Sequence, residues 1–338
     1  MIFRNRRKRA ARSSSGFTLI ELMIALLLGL IVIAGVVSVF LANQRAYRTN
    51  EALGDVQDGS RAAFELMARD IRQAGLTGCD NSGRVGNVLN NGPVKAGAGA
   101  DWWATWSNAT SNVIHGYDRT QTDVALTART AGTDSLQLIG VTDLGVTVST
   151  NTTTSAQLTV NGTLSGLTTG DVLVVCDPNH AAIFQTTAVA SNTITYSSGV
   201  GSPGNCSAGI GYPTSCGAAN NYQFKPNALL AKLSAVDWYI GTNSIKGSSL
   251  FRKDLVNNAG VPTPTDEELV RGVTGMTISY HQQGGTTFAA AGASTNWSLV
   301  DAVRVQLTLQ STDQTAGVDV KPITRSFTTT TTLRNRVK

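Results

Sequence analysis

The apolar segment GFTLIELMIALLLGLIVIAGVVSVFLA, on which the rest of the chain is built, occupies residues 16 to 42. Its uncharged part runs from Leu22 to Ala42 and holds 21 residues. With a rise of about 1.5 Å per residue, a helix of that length is about 31 Å long, which matches a hydrocarbon core of roughly 30 Å. The stretch therefore predicts a helix that spans a membrane.

The charges in front of this helix predict its orientation. The first sixteen residues contain no acid and six cations: Arg4, Arg6, Arg7, Lys8, Arg9 and Arg12. Such an excess of cations marks the cytoplasmic flank of a membrane helix, so we expect the rest of the chain to lie across the membrane. The 338 residues carry a formal charge of +5, and without these six cations the net charge is −1. The basic pI is therefore no argument for nucleic-acid binding.

Three classes of protein begin with a helix of this kind. A cleaved secretory signal peptide has a shorter apolar segment and a small-x-small cleavage site behind it, and no such site precedes Asn43. A plain membrane anchor needs no acid, yet Glu21 lies inside the apolar stretch. The third class is cut on the cytoplasmic side, between Gly16 and Phe17, and keeps the apolar helix in the mature protein. The sequence favours this third class.

The residues around Gly16, GFTLIE, resemble the leader junction of type IV pilins and type II secretion pseudopilins. The resemblance implies that a membrane-bound prepilin peptidase cuts after Gly16 and that the new N-terminal residue, Phe17, is methylated. Glu21 then stands at the fifth mature position, as the family's glutamate does.

Placing the Glu21 carboxyl group in a membrane costs free energy that a partner of opposite charge can offset. An acid inside a membrane helix costs on the order of 2.5–3.5 kcal/mol at the bilayer centre. Cleavage after Gly16 creates a cation, the amine of Phe17, four residues away on the same helix. In the family, Glu21 is expected to meet the Phe17 amine of a neighbouring subunit, which gives lateral assembly a register. The alternatives are pairing within one chain and a role for the peptidase alone.

The helix is predicted to continue from Phe17 to Ala74. No proline interrupts residues 43 to 74, and apolar side chains recur at helical spacing, among them Val56, Ala63, Met67 and Ile71. Gly75 is placed to end the helix. Gly29 and Gly35 either let the membrane half bend or allow close helix approach, and the sequence leaves both open.

Four cysteines, Cys79, Cys176, Cys206 and Cys216, follow the membrane helix, in the expected periplasmic part where disulfides persist. They allow three connectivities. Cys206 and Cys216 bracket a short Gly/Pro loop, which favours pairing them and leaves Cys79 with Cys176.

The remaining chain is typical of a β-rich domain. Two groups of strands are predicted, the first at 134–142, 156–160, 171–176, 181–189 and 192–197, the second at 230–241, 248–253, 275–281, 302–310 and 323–332. Thr265 and Glu268 suggest a capping box that opens a short helix.

Several stretches resemble minor pilins of the PilW family: AFELMARDIRQAGLTGC, SLFRKDL, ELVRGVTGMTISY and AVRVQLTLQS. The resemblance implies an α+β, pilin-like fold, with the long helix packed on an antiparallel sheet and a β-rich subdomain inserted. The expected parts are a cleaved leader (1–16), a membrane and filament-core helix (17–42), an amphipathic helix (43–75), a connecting loop (76–123), the inserted β-subdomain (124–221) and the main sheet (222–338).

No residue pattern points to catalysis, a cofactor or a metal. The histidines His115, His180 and His281 are scattered, and no nucleophile elbow or nucleotide-binding motif is present. Asp313 and Asp319 lack the spacing of a calcium loop. The loop residues Trp102, Trp103 and Trp106 either bind a partner or pack the loop onto its own domain.

The function implied by the resemblance is assembly without enzymatic activity. The chain would be a single-pass inner-membrane protein with a periplasmic head, cut by the prepilin peptidase. It would then join other minor pilins and the major pilin through the inner-membrane assembly platform. Near the pilus tip, on the cell surface, it would support adhesion and twitching motility, with no direct contact to nucleic acid. The alternatives are a J-type minor pseudopilin of a type II secretion system and a membrane-tethered adhesin.

Overall fold

A computed structural model describes residues 16–79, 84–107, 113–317, 319–334 and 336, so the cationic segment before residue 16 lies outside the described residues. A long helix, α1 (Leu19–Gln73), precedes a head made almost entirely of strands, with a short helix α2 (Pro93–Ala96). The described strands form one sheet of eleven strands and one of four. The predicted α+β fold, a long helix followed by an antiparallel-rich sheet head, is confirmed.

Helix α1 is 55 residues long because no proline interrupts it, and Gly75 follows its C-cap residue Ala74. It is two residues shorter at its start and one shorter at its end than predicted. Gly75 has φ 73°, a left-handed conformation that costs glycine little. The Gly75 N–H donates to the carbonyl oxygen of Ile139 at 2.8 Å, which ties the end of the helix to the head.

The large sheet is built around two long antiparallel strands. Its members are β1 (Val85–Asn87), β2 (Ile114–Tyr117), β3 (Ser135–Thr152), β4 (Gln157–Asn161), β5 (Val172–Cys176), β6 (Ala181–Gln185), β7 (Ala188–Ala190), β8 (Thr193–Thr195), β9 (Leu229–Thr242), β10 (Ser248–Asn258) and β11 (Val261–Arg271). The order is β1-β6-β5-β9-β3-β4-β8-β7, with β10 bridging β9 and β11 and with β2 on β3. Strand β9 pairs with β3 along one edge and with β5 and then β10 along the other, so the sheet forks at β9.

The small sheet carries α1. It consists of β12 (Val273–Gln282), β13 (Phe288–Ala289), β14 (Val300–Gln310) and β15 (Thr324–Thr332), in the order β13-β12-β14-β15 and antiparallel throughout. The buried stripe of α1, including Val56, Met67 and Ile71, shares one core cluster with Val305 and Leu307 of β14. Fully burying an aliphatic side chain of this size is worth about 1.5–3 kcal/mol, so this stripe holds the helix on the sheet.

A second core lies within the large sheet and excludes the helix. Its largest members are Leu158, Phe184, Tyr196 and Phe224, all buried. Phe184 and Tyr196 are in ring contact, with centroids 5.1 Å apart. Among the described residues the head therefore has two large hydrophobic cores, the first of which includes the buried stripe of α1. A third, small cluster joins Ala52 of α1 to Ala316 and Ile323.

The predicted strands are all present with shifted ends, except that 181–189 divides into β6 and β7. The helix expected from Thr265 and Glu268 is wrong, because both residues lie in β11. Thr265 is the register partner of Asp254 on β10, and Glu268 that of Phe251. The backbone pairing that runs along both strands stabilises β11 more than the Thr265–Glu268 capping box would stabilise a short helix.

The predicted division at residue 221 does not coincide with a break in either sheet. Strands β9, β10 and β11 follow that position, yet they belong to the same sheet as β3 to β8. Residues 76–123, expected as an irregular loop, contribute β1, α2 and β2, and β2 pairs with β3.

Both predicted disulfides are present in the structure. Cys79 follows the end of α1 and joins Cys176 at the end of β5, with their Cα atoms 5.9 Å apart. Cys206 joins Cys216 across the Gly/Pro loop, with their Cα atoms 5.1 Å apart. The first bridge links the segment that follows α1 to β5 of the large sheet.

Candidate functional site: the leader junction and the exposed half of α1

The predicted cleavage site lies just outside α1. Thr18 is the N-cap residue, with φ −79° and ψ 150°, so the backbone up to Thr18 is not helical. Phe17 is 85% exposed, and no atom lies within 4 Å of a Cβ placed on Gly16. The Gly16–Phe17 peptide bond is therefore on an accessible, non-helical segment, which is what a protease needs.

Glu21 and Thr18 form a reciprocal capping box. The Glu21 N–H donates to Thr18 Oγ1 at 3.3 Å, and Glu21 Oε2 accepts from the Thr18 N–H at 3.1 Å and from its hydroxyl at 3.0 Å. These bonds satisfy two helix N-terminal groups that otherwise have no partner. In this single chain the Glu21 carboxylate thus bonds to Thr18, and the expected pairing with the Phe17 amine stays a prediction.

The first half of α1 leaves its apolar side chains uncovered by the head. Leu19 is 78% exposed, Leu30 69% and Phe40 66%. By length and composition, α1 can cross a membrane, and it is the one helix among the described residues that can. Uncovered apolar area of this size is costly in water, so the structure requires either lipid or other protein around this segment.

The second half of α1 is fixed to the head by a polar contact as well as by its apolar stripe. Asp70 Oδ2 accepts from Trp238 Nε1 at 3.1 Å and from Arg252 Nε at 3.0 Å. Burial raises the pKa of Asp70, and the guanidinium of Arg252 opposes that shift. Arg252 also pairs with Asp254 at 2.9 Å, so the cation is shared by two acids.

The tryptophan loop packs onto its own domain. Trp103 and Trp106 are buried in the same core cluster as α1, and Trp102 packs against that cluster while partly exposed. Of the two predicted roles, the structure therefore shows packing, and the buried rings of Trp103 and Trp106 are not available to a partner.

The three histidines do not come together. His115 packs on Trp297, with centroids 4.6 Å apart, and His180 on Tyr222, with centroids 3.9 Å apart. His281 Nδ1 lies 2.6 Å from Asp301 Oδ1, and this contact raises the pKa of His281.

The two acids weighed as calcium ligands have protein partners. Asp313 Oδ1 accepts from the N–H and the hydroxyl of Thr315, and Asp319 lies 3.8 Å from Lys321. Over the part of the chain that the structure describes, no group of three or more histidine, cysteine or acidic side chains could hold a metal ion.

The structure assigns roles to two residues, Thr18 and Asp70, that were not predicted from the sequence. Thr18 stands three residues before Glu21, and this Thr-x-x-Glu spacing is a readable capping-box signal. Asp70 gave no signal of its own, because its partners Trp238 and Arg252 are about 170 residues away in the chain.

Residues 11–37 match the family model of the prokaryotic N-terminal methylation motif. The match includes the capped junction and the start of the exposed apolar helix. This chain carries the leader of a type IV pilin or pseudopilin. The pilin-type leader implies processing by a prepilin peptidase, and together with the apolar helix it supports membrane anchoring. No curated protein sequence matches this chain.

Proposed function

We propose that this chain is a minor pilin of the PilW type that helps to initiate type IV pilus assembly and stays near the pilus tip. The observation that carries the proposal is the contrast between the two halves of α1. One half is uncovered and apolar behind a pilin-type leader, and the other is locked to a β-rich head.

The uncovered half suits two environments in succession. Before assembly, lipid surrounds residues 17–42, with the head in the periplasm, where the two disulfides persist. In a filament, sister helices replace the lipid, so the apolar area stays out of water throughout. Cleavage after Gly16 removes six cations that would otherwise enter the filament core.

The size of the head supports a place at the end of a filament. The described head contains an eleven-stranded sheet in addition to the four-stranded sheet on which α1 packs. Heads in the body of a filament have neighbours above and below, whereas a terminal subunit has neighbours on one side only. A bulky head is therefore accommodated most easily at the tip.

Mass spectrometry of the native protein tests the processing step. We expect a chain that begins at Phe17 with a methylated amine. Gly16→Val should leave the cations attached, because a branched side chain at the cut site blocks the peptidase. Gly29→Ala, in the middle of the exposed helix with no atom within 4 Å of the new Cβ, is the matched control and should be processed normally.

Sheared filaments test the assembly step. Glu21→Gln should reduce the amount of this protein in the sheared fraction, while Glu65→Gln, an exposed position on the same helix, should not.

A deletion strain distinguishes a type IV pilus from a type II secretion system. Loss of twitching with normal exoprotein release supports the pilus, and the reverse result favours the type II secretion pseudopilin.

A further inference from the structure

The small sheet ends in a long strand with an open outer edge. Strand β15 pairs with β14 over nine residues without a register shift, from Thr324 opposite Gln310 to Thr332 opposite Ala302. Among the described residues, no backbone group pairs with its second edge. The inner face of this sheet is already covered by α1, so the edge is the part of β15 that remains available.

The bonds at both ends of β15 show which groups face outward. Ser311 N–H donates to Ile323 O at 2.9 Å, and Leu333 N–H donates to Asp301 O at 2.8 Å. In an antiparallel pair these bonds alternate along the strand, so odd-numbered residues of β15 bond to β14. The even-numbered ones therefore direct their N–H and C=O groups to the open edge, and all are exposed: Thr324, Ser326, Thr328, Thr330 and Thr332.

The other outer edges of the described sheets are short or blocked. Strands β1, β7 and β13 have three residues or fewer, and β2, which pairs with β3 alone, has four. Strand β11 is long, but it contains Pro262 and Pro264 and a run of three acids from Asp266. Prolines, charges and short length are the devices by which proteins prevent strand addition. Strand β15 lacks proline and acid and has Arg325 as its one charge.

We propose that the open edge of β15 binds an extended strand of a partner protein by β-augmentation, and that this partner strand has acidic residues at both ends. The outward residues from Ser326 to Thr332 supply backbone hydrogen bonds for such a strand, which is how an exposed sheet edge recognises an extended peptide. At Thr324 the N–H faces outward, while the carbonyl oxygen accepts from Arg325 Nη1 at 3.0 Å. The proposal goes beyond pilus assembly and does not depend on it.

The acidic ends follow from the charges around the edge. No acid occurs between Lys321 and the end of the chain. Exposed Arg325 lies at one end of β15, and exposed Arg334 lies just beyond the other, about 30 Å away for nine residues of strand. Arg336 is not available, because its guanidinium donates to the carbonyl oxygens of Trp297 and Val300. Opposite charges placed at this spacing fix the register of the added strand.

A synthetic peptide tests the edge directly. The probe alternates threonine and valine over nine residues and carries two aspartates at each end, and its binding to the full chain in detergent is measured by fluorescence anisotropy. Thr328→Pro removes one outward N–H and should weaken binding at least about tenfold, which is about 1.4 kcal/mol. Thr328→Val keeps that N–H and should change binding less than about twofold.

The same measurements can overturn the proposal. The Thr328 N–H has no backbone partner among the described residues, so the proline variant should keep the near-ultraviolet circular dichroism of the wild type. Equal binding by a folded Thr328→Pro chain excludes β-augmentation here. A lysine-ended peptide that binds as tightly as the aspartate-ended one excludes the acidic partner. Concentration-dependent dimerisation that Thr328→Pro abolishes without peptide would assign the edge to a second copy, and this also overturns the acidic partner.

Discussion

At the residue scale, the most unusual feature outside the helix is a pair of buried aspartates. Gln137 Nε2 donates to Asp123 Oδ1 at 2.9 Å and to Asp237 Oδ2 at 3.1 Å, so one amide bridges both carboxyl groups. Ser135 donates to Asp123 at 2.6 Å, while Asp237 Oδ1 has no hydrogen-bond partner among the described residues. Burial first, and then the nearby Asp123 carboxylate, raise the pKa of Asp237 well above that of an exposed aspartate.

The raised pKa predicts how stability depends on pH. The folded chain keeps a proton on Asp237 that the unfolded chain releases above about pH 4. The stabilisation from this proton is therefore complete below that pH and decreases as the pH rises toward the raised pKa. Asp237→Asn keeps the shape, needs no proton and can donate to Asp123. Relative to this variant, the wild type should lose unfolding free energy as the pH rises from about 4 toward the raised pKa of Asp237.

Urea unfolding over a pH series from about 4.5 to 8 measures this difference. Asp58→Asn, at an exposed position of α1, is the control and should follow the wild-type profile. Parallel profiles for the wild type and Asp237→Asn would mean that Asp237 is ionised in the folded protein.

At the element scale, α1 joins two segments with different surroundings. Up to about residue 42 its side chains contact no part of the head, and beyond that point a stripe from Ala52 to Ile71 is buried. Its glycines reflect this difference. A Cβ on Gly54 would have no atom within 4 Å, whereas a Cβ on Gly59 would lie 3.3 Å from Val270 Cγ1 and 3.4 Å from Leu309 Cδ2.

The two glycines should therefore respond differently to alanine. Gly54→Ala should raise the unfolding free energy by about 1 kcal/mol, the usual gain in a helix interior. Gly59→Ala should gain less, because Val270 and Leu309 must shift by a few tenths of an ångström to admit the methyl group. Urea unfolding of both variants of the full chain in detergent provides the comparison. An equal gain at both positions would show that the packing at Gly59 is looser than these distances indicate.

At the scale of the whole molecule, the helix is attached to both sheets. The small sheet holds its apolar stripe, Trp238 and Arg252 of the large sheet hold Asp70, and the Cys79–Cys176 bridge follows its last turn. A pull on the exposed half of α1 is therefore passed to both sheets, which the proposed place in a filament requires.

The two disulfides should contribute unequally to stability. Cys79 and Cys176 are separated by 97 residues, and Cys206 and Cys216 by 10. In the chain-entropy model, a loop of about 100 residues is worth about 4.7 kcal/mol, and a loop of about 15 residues about 3 kcal/mol. The double serine variant at Cys79 and Cys176 should thus unfold at a lower urea concentration than the one at Cys206 and Cys216. The opposite order would show that native contacts around the short loop outweigh its entropy.

Features that depend on near neighbours in the chain could be predicted from the order of the amino acids. The length of the apolar run set the membrane helix, the residues around Gly16 set the leader, and alternation set the strands, because each signal lies within a few residues. The choice of disulfide partners also followed, since a short Gly/Pro loop left a single second pair.

Features that depend on contacts between distant residues could not be predicted and are seen in the folded head. Residues predicted as a helix form strand β11, because they pair with β10 along its length. Trp103 and Trp106 are buried because they pack into the core around α1. Two side-chain contacts likewise join residues far apart in sequence: Asp70 with Trp238, and Gln137 with both Asp123 and Asp237. The open edge of β15 also depends on distant residues, because it is open where no other strand pairs with it. Local propensities carry no information on such pairings, because the free energy that selects them arises only when the whole head is packed.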